Sequence, residues 1–324
     1  GLGYLAGVDI GATSLDIALA DFRGDILERM SEPADVRDQP DKVLDRVTEI
    51  ILEMLAKQGA SAPDLVGIGI GVPGPVKYPS GLLIEPPLMP AWDSFPIKEY
   101  IRRTFPKIVP AVDNDVNIMA IGEARIGGGR GIENLLYIKI GTGIGCGVIS
   151  RGDIYRGSDG TAGDVGHICV DYNGPICHCG NPGCLEAMAA GPAIARRGQE
   201  AALSGKSEFL AARLKEKGVL AAEDVGEAAA NGDRVANGII ADSGRMIGGV
   251  LAGLVNFYNP RAIFIGGGVS KIGHHILSTI RQATLRRATA LSTRDLLIDY
   301  SKLGDDAGVN GAIWLAIENV FTKA

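Results

Sequence analysis

Two stretches of this chain are written in the same grammar, and that repetition limits the possible fold more than any other feature. Tyr4 to Arg29 reads YLAGVDIGATSLDIALADFRGDILER, with three short apolar runs parted by turn signals at Gly11 and at Phe22-Arg23-Gly24. Asn134 to Gly157 reads NLLYIKIGTGIGCGVISRGDIYRG and repeats the pattern: a strand, a glycine-rich turn, a second strand, and a turn at Arg151-Gly152 leading to a third. Short apolar runs bounded by glycine turns form strand meanders. Two such meanders, each followed by helical periodicity, predict a duplicated α/β protein with a cleft between its halves where ligand chemistry sits. A smaller N-terminal domain is expected over 1–118, completed by a C-terminal helix over 306–324, with a larger domain over 119–305.

The intervening patterns agree with α/β. Val43, Leu44, Val47, Ile50, Ile51 and Leu55 recur at helical spacing between Pro40 and Lys57, and LVGIGIGV then reads as a strand ending at Pro73. KIVPAV reads as another strand, with a helix starting near Asn117. Val235 to Asn256, Ile276 to Ala288 and Ala307 to Phe321 give further helices, with RAIFIGGG a strand among them. The apolar segment Ile247 to Val255 is read as core rather than subunit contact. At 324 residues and 46% hydrophobic content, the chain can bury two cores. No run approaches eighteen uninterrupted apolar residues and no basic-then-apolar leader precedes Leu5, which argues against a membrane span or export signal. A net charge of −6 argues against nucleic-acid binding by this chain. Gly1 in place of Met leaves room for residues upstream.

Between Ala162 and Glu186 the chain reads AGDVGHICVDYNGPICHCGNPGCLE, placing His167, Cys177, Cys179 and Cys184 within eighteen residues. Three thiolates and an imidazole suit tetrahedral Zn²⁺, and four protein ligands leave no open position, so the ion is expected to be structural. It would fix the neighbouring Asp164 and Glu186. Unpaired core cysteines or a disulfide are the competing readings. Cys146 and Cys169 lie in apolar runs and are read as core packing. Metal-bound or buried cysteines fit a reducing cytoplasm.

Three glycine turns follow three apolar strands: Asp9-Ile-Gly-Ala-Thr-Ser14, Gly141-Thr-Gly-Ile-Gly145 and Gly266-Gly-Gly268. Each can bring backbone N–H groups against a phosphate, though tight hairpins need glycine for their own reasons. No G-x-x-x-x-G-K-[ST] occurs, which excludes a P-loop. Asp9 at a strand end can hold Mg²⁺ through its water shell, or simply cap the turn. Asp113-Asn114-Asp115 lies between a strand and a helix. An aspartate there can take the proton of a substrate hydroxyl, and Asp or Asn there can equally serve as a helix N-cap.

Taken together, DIGAT, VDNDVN, IGTGIGCG, AGDVGH, CHCGNPGCLE and IGGGVS resemble the ROK family of sugar kinases and sugar-responsive repressors over nearly the whole chain. The resemblance implies a duplicated actin-like (ribonuclease H-like, hexokinase-like) α/β fold in which sugar and ATP meet in the cleft. By position it implies Asp115 as catalytic base and Asn114, Asp164, His167 and Glu186 as sugar-hydroxyl ligands. Asp9, Gly11 and Thr13 would form the first phosphate loop, Gly141, Thr142 and Gly143 the second, and Gly266, Gly267 and Gly268 the adenosine-side turn. His167 would use one ring nitrogen for zinc and the other for the sugar.

Three positions depart from the family's glucokinases. Ser14 replaces a lysine after Gly-Thr, Asp164 replaces a glutamate and reaches roughly 1.5 Å less far, and Leu88 in Leu-Met-Pro-Ala-Trp92 replaces a sugar-binding asparagine. The expected activity is transfer of the ATP γ-phosphate, with Mg²⁺, to a hexose hydroxyl, the 6-hydroxyl being the natural one. The alternative is a catalytically silent sugar-binding effector domain of a transcriptional regulator, whose DNA-reading helix-turn-helix would lie upstream of this chain. A cytoplasmic homodimer or higher homo-oligomer is expected in either case.

Overall fold

The computed structural model describes residues 3–322 except 36 and 88, so that Leu88 lies outside the described residues. The first meander is present: β1 (Tyr4–Ile10), β2 (Ser14–Asp21) and β3 (Ile26–Pro33) pair antiparallel in sequence order. β1 is buried from Leu5 to Ile10, the pattern of a strand covered on both faces. α1 (Pro40–Lys57) carries Pro40 in its first turn, where the missing N–H costs nothing, and buries its apolar stripe from Val43 to Leu55. Next come β4 (Leu65–Val72), the two-residue strands β5 (Val76–Lys77) and β6 (Leu82–Leu83), α2 (Ile97–Thr104), β7 (Ala111–Asn114) and α3 (Asp115–Arg125). β4 and β7 extend the sheet in parallel with β1, giving the order β3-β2-β1-β4-β7.

The grammar then repeats with β8 (Leu135–Ile140), β9 (Ile144–Ser150) and β10 (Asp153–Tyr155). Helices follow: α4 (Leu185–Ala189), α5 (Gly191–Leu203), α6 (Glu208–Lys217), α7 (Ala222–Ala230) and α8 (Arg234–Tyr258). β11 (Ala262–Gly266), α9 (His274–Arg287), α10 (Ala290–Thr293), β12 (Leu297–Tyr300) and α11 (Ala307–Thr322) complete the chain. The second sheet has the order β10-β9-β8-β11-β12, with β8, β11 and β12 parallel. Its topology is that of the first sheet, strand for strand, so the duplication read from the sequence is real. The molecule is a two-domain α/β protein of the actin-like class. Its compact units are Gly1–Glu133 with Gly147–Gly163 and Lys302–Ala324, and Asn134–Cys146 with Asp164–Ser301.

Several boundaries differ from expectation for identifiable reasons. The strand expected over KIVPAV begins only at Ala111, directly after Pro110, which has no N–H for the ladder. The helix expected near Asn117 starts two residues earlier, because the Asn114 side chain accepts the Val116 N–H and caps it. The sequence reading placed no elements between 185 and 230, where α4 to α7 lie. α5 and α7 turn mainly alanine and glycine inward and α6 buries only Leu210, which leaves the 3.6-residue period faint.

By length and composition alone α8 could cross a membrane, but half of its most apolar window is buried. Its inward stripe, which includes Ile240, Gly244, Ile247, Gly248 and Leu251, packs on α7 and α9, so the segment is core as read.

α11 lies against β1 and β4 at very short range. A Cβ at Gly69 of β4 would stand 1.9 Å from the Ala312 carbonyl oxygen, an atom of the helix backbone that cannot swing aside. Gly69→Ala is therefore expected to destabilise the first unit by about 1–3 kcal/mol through overpacking. Calorimetric unfolding should show a lower transition temperature for this variant, and an unchanged profile would refute the close approach.

Candidate functional site

The metal-ligand candidates converge. His167 closes a short 3-10 turn, and Cys177, Cys179 and Cys184 lie on a glycine-rich loop held by Cys177 N–H to Asn181 O and Gly183 N–H to Pro175 O, each 2.9 Å. Their donor atoms all lie within 4.8 Å of one another. Cys177 Sγ is 3.5 Å from His167 Nδ1, and Cys179 Sγ is 3.6 Å from Cys184 Sγ. A tetrahedron with Zn–S of about 2.3 Å and Zn–N of about 2.0–2.1 Å has S···S edges of about 3.8 Å and S···N edges of about 3.6 Å. The donor set and its spacing thus fit structural zinc.

None of the five cysteines forms a disulfide. Burial pushes the Cys184 thiol up to about 12 and raises that of Cys177, while a backbone hydrogen bond from Asn181 brings Cys179 down to about 7. Buried thiols that resist ionisation need a cation to stabilise them as thiolates.

The other two cysteines part company. Cys146 is buried, and burial alone lifts its thiol to about 12. Cys169, read from sequence as core, is exposed. Its backbone bridges Cys184 and its neighbours pair with Gly183 and Leu185, so the segment is held by main-chain bonds rather than by a buried side chain.

Around this cluster, His167 Nδ1 lies on the thiol side and Nε2 lies 3.7 Å from Asp164 Oδ1. Asp164 is exposed. Glu186, in the first turn of α4, accepts the Ile144 N–H through Oε2 at 3.0 Å, with Oε1 3.9 Å from Cys177 Sγ. The second unit therefore gathers His167, Asp164 and Glu186 beside the cluster, together with the turn Gly141–Gly143. Gly141 N–H donates to Gly143 O at 2.9 Å, and Thr142 at the tip is exposed. Gly266 is buried, whereas Gly268 is exposed at the start of a 3-10 turn.

In the first unit, Asp113, Asn114 and Asp115 divide their tasks. Asn114 caps α3 and donates from Nδ2 to the Gly74 carbonyl at 2.9 Å, keeping one N–H and one lone pair for other partners. Asp113 is almost wholly buried. Its Oδ1 accepts from Asn114 N–H and Asn117 Nδ2, both 2.8 Å, and its Oδ2 accepts from Arg156 Nε at 2.7 Å. Arg156 also stacks on the Tyr78 ring, 3.9 Å from its centroid. Asp115, 4% exposed, is the first residue of α3, and its Oδ1 accepts the Val116 N–H at 2.8 Å.

Sequence reasoning missed Arg156 and Tyr78, because nothing in local spacing links residues so far apart. Asp9, 7% exposed, is the penultimate residue of β1 and lies beneath the start of α11, where a Cβ at Gly308 would fall 1.7 Å from its Oδ2. Gly11 N–H donates to Ser14 O at 2.8 Å, closing the first turn, and Thr13 is exposed at its tip. Ser14 Oγ donates to Asp16 Oδ2 at 3.1 Å. Arg29 on β3 pairs with Asp16 and Asp306, so its charge is committed elsewhere.

Fold and residue clusters together define an actin-like protein with a loop whose His and Cys side chains could hold a metal ion. The ROK family profile matches residues 5–319, and the chain belongs to that family. It is 35% identical over 313 residues to a glucokinase of Halalkalibacterium halodurans, covering 96% of this chain and 94% of that one. It is 29% identical over 329 residues to a xylose repressor of Caldicellulosiruptor bescii, covering 99% of this chain and 80% of the repressor. Among solved structures, a ROK family glucokinase from Streptomyces griseus in complex with glucose and AMPPNP superposes with a TM-score of 0.84. That match has 30% identity and covers 98% of this chain and all of the other.

Purified protein is expected to carry one zinc ion per chain by elemental analysis, and Cys184→Ser or a strong chelator should remove it. Proteolysis should then open the 164–184 loop. Metal-free protein with an equally resistant loop would refute the assignment.

Proposed function

We propose that this protein is an ATP-dependent sugar kinase acting on a hydroxyl of a hexose or related sugar, the 6-hydroxyl in a hexose. The observation that carries the reading is Asp115, whose carboxyl is fixed at the first position of α3 by its neighbour's N–H. A protein that only sensed sugar would have no chemical use for a base there. Full-length similarity to glucokinases, one of them solved with glucose and AMPPNP, supports the same reading.

In this mechanism Asp115 takes the proton from the sugar hydroxyl as its oxygen attacks the γ-phosphorus. The bond to the β–γ bridging oxygen breaks, and ADP leaves with that electron pair. Asn114, Asp164, His167 through Nε2 and Glu186 serve as hydroxyl ligands. The turns Gly11–Thr13 and Gly141–Gly143 pass against the phosphates: Gly11 and Gly141 shape them through their N–H bonds to Ser14 O and Gly143 O, the backbone N–H groups of Thr13, Thr142 and Gly143 donate to phosphate oxygens, and Gly266 to Gly268 pass beside the adenosine.

A lone carboxylate is a donor set that hydrated Mg²⁺ accepts alongside phosphate oxygens, and Asp9 near the end of β1 supplies one. Magnesium there would neutralise charge on the transferring phosphate. Zinc on His167, Cys177, Cys179 and Cys184 would stay structural, leaving most of the catalysis to positioning and electrostatics.

A second reading, a catalytically silent effector domain, is favoured by the likeness to xylose repressors and by Ser14, whose hydroxyl is turned to Asp16 where the family's glucokinases carry a lysine.

A coupled ADP-release assay over hexoses, aminosugars and inositol separates the two. The kinase reading expects turnover with at least one sugar, and Asp115→Asn should lower kcat by about 10²–10⁴ while sugar affinity stays within a few fold. Calorimetric sugar binding with no turnover across the panel would establish the effector reading instead.

A further inference from the structure

Glu186 touches more than the metal cluster. Its Oε2 accepts the N–H of Ile144, the first residue of β9 and the residue that follows the turn Gly141–Gly143. The carboxylate lies so close to that turn that a Cβ at Gly143 would come within 2.3 Å of the same oxygen. Two other contacts from the same stretch of chain reach the turn. Gly166, next to His167, packs where a Cβ would stand 2.2 Å from the Ile144 carbonyl oxygen. Gly191 N–H, at the start of α5, donates to the Gly141 carbonyl at 2.9 Å.

Both ends of the turn are thus held by residues that bracket the ligand set: Gly166 before His167, and Glu186 and Gly191 after Cys184. Within itself the turn has the Gly141 N–H to Gly143 O bond to order it. Fixing backbone costs roughly 1–2 kcal/mol per residue, and glycine resists ordering most, so external contacts decide whether this turn is rigid.

We infer that Glu186 is a positioning residue for the second glycine turn, and that the ion held by His167, Cys177, Cys179 and Cys184 orders that turn through Glu186. The turn's role as a phosphate receiver rests on the kinase reading above; its mechanical dependence on Glu186 and the metal does not. Metal loss would then weaken nucleotide binding as well as sugar binding, and bound nucleotide would in return tighten hold of the metal.

The test compares zinc-loaded wild type, chelator-stripped wild type, Glu186→Gln and Glu186→Ala, all without sugar. Amide hydrogen exchange over 141–145 reads the turn directly, AMPPNP titration by calorimetry reads binding, and elemental analysis reads zinc content. Glutamine keeps an oxygen to accept the Ile144 N–H, whereas alanine keeps none. Wild type and Glu186→Gln should protect the turn alike. Stripped protein and zinc-replete Glu186→Ala should exchange there roughly tenfold faster, as loss of one ordering hydrogen bond implies, and should bind AMPPNP weaker by a similar factor.

Equal exchange in all four overturns the inference, even if AMPPNP binds normally. A turn that loosens as expected in a protein that binds no AMPPNP upholds the positioning role and refutes the nucleotide reading. Should Glu186→Ala fail to fold, loaded and stripped wild type decide by the same exchange measurement.

Discussion

Three sulfurs and one imidazole nitrogen confined to one small volume are the constraint on which the loop around the candidate site, and the glycine turn it touches, depend. The loop that carries them has little apolar anchorage: Tyr172 and Ile176 are largely exposed and the backbone is held by a few turn hydrogen bonds. Burial opposes ionisation of Cys177 and Cys184, so the thiols cannot settle as thiolates without a cation. With a cation, the loop becomes a rigid bracket whose two flanks, Gly166 and Glu186, rest on the same residue, Ile144. On the kinase reading proposed above, a structural metal would in this way govern the geometry of the backbone that receives phosphate.

The first unit reaches rigidity by a different route. Its polar residues are buried and satisfied by one another: Asp113 by Arg156, Asn117 and a main-chain N–H, and Asn114 by the helix it caps and the carbonyl of Gly74 in the turn between β4 and β5. Buried polar groups of this kind are costly unless paired, and pairing makes them specific. The outcome is that Asp115 sits on a helix start whose position is fixed on both sides, by the cap before it and by the buried stripe of α3 after it. The close approach of α11 to β1 and β4 adds to this, because the helix is seated on glycine and brings its N-terminal turn over Asp9.

Membership of the ROK family sets the range of functions without choosing among them, since glucokinases and xylose repressors both align with nearly the whole of this chain. Choice lies in individual side chains. Asp115 argues for chemistry, while Ser14, bonded to Asp16, leaves the first turn without the lysine of the family's kinases. Fold cannot weigh these two against each other, because function resides in sites that a fold merely carries.

Much of this was written in the order of residues. The repeated strand, glycine turn and strand fixed the duplication, since periods of two and of 3.6 residues are local properties; α1 showed its stripe plainly because it is made mostly of large aliphatic side chains, and α8 because Ile239, Ile240, Ile247, Leu251 and Val255 recur at helical spacing among its small residues. The ligand set was equally legible, its four members lying within one short loop. Other features could be decided only by tertiary packing. α5 and α7 bury mainly alanine and glycine and α6 only Leu210, so they announce no period, and Cys169 lies in an apolar run yet is exposed because main-chain bridging, not burial, holds its segment. Arg156 meets Asp113 and Tyr78 across many residues of chain, and Glu186 meets Ile144 likewise. Local sequence encodes which elements form, since that depends on neighbours a few residues apart; partners distant along the chain are chosen only when packed elements bring them within the reach of a hydrogen bond.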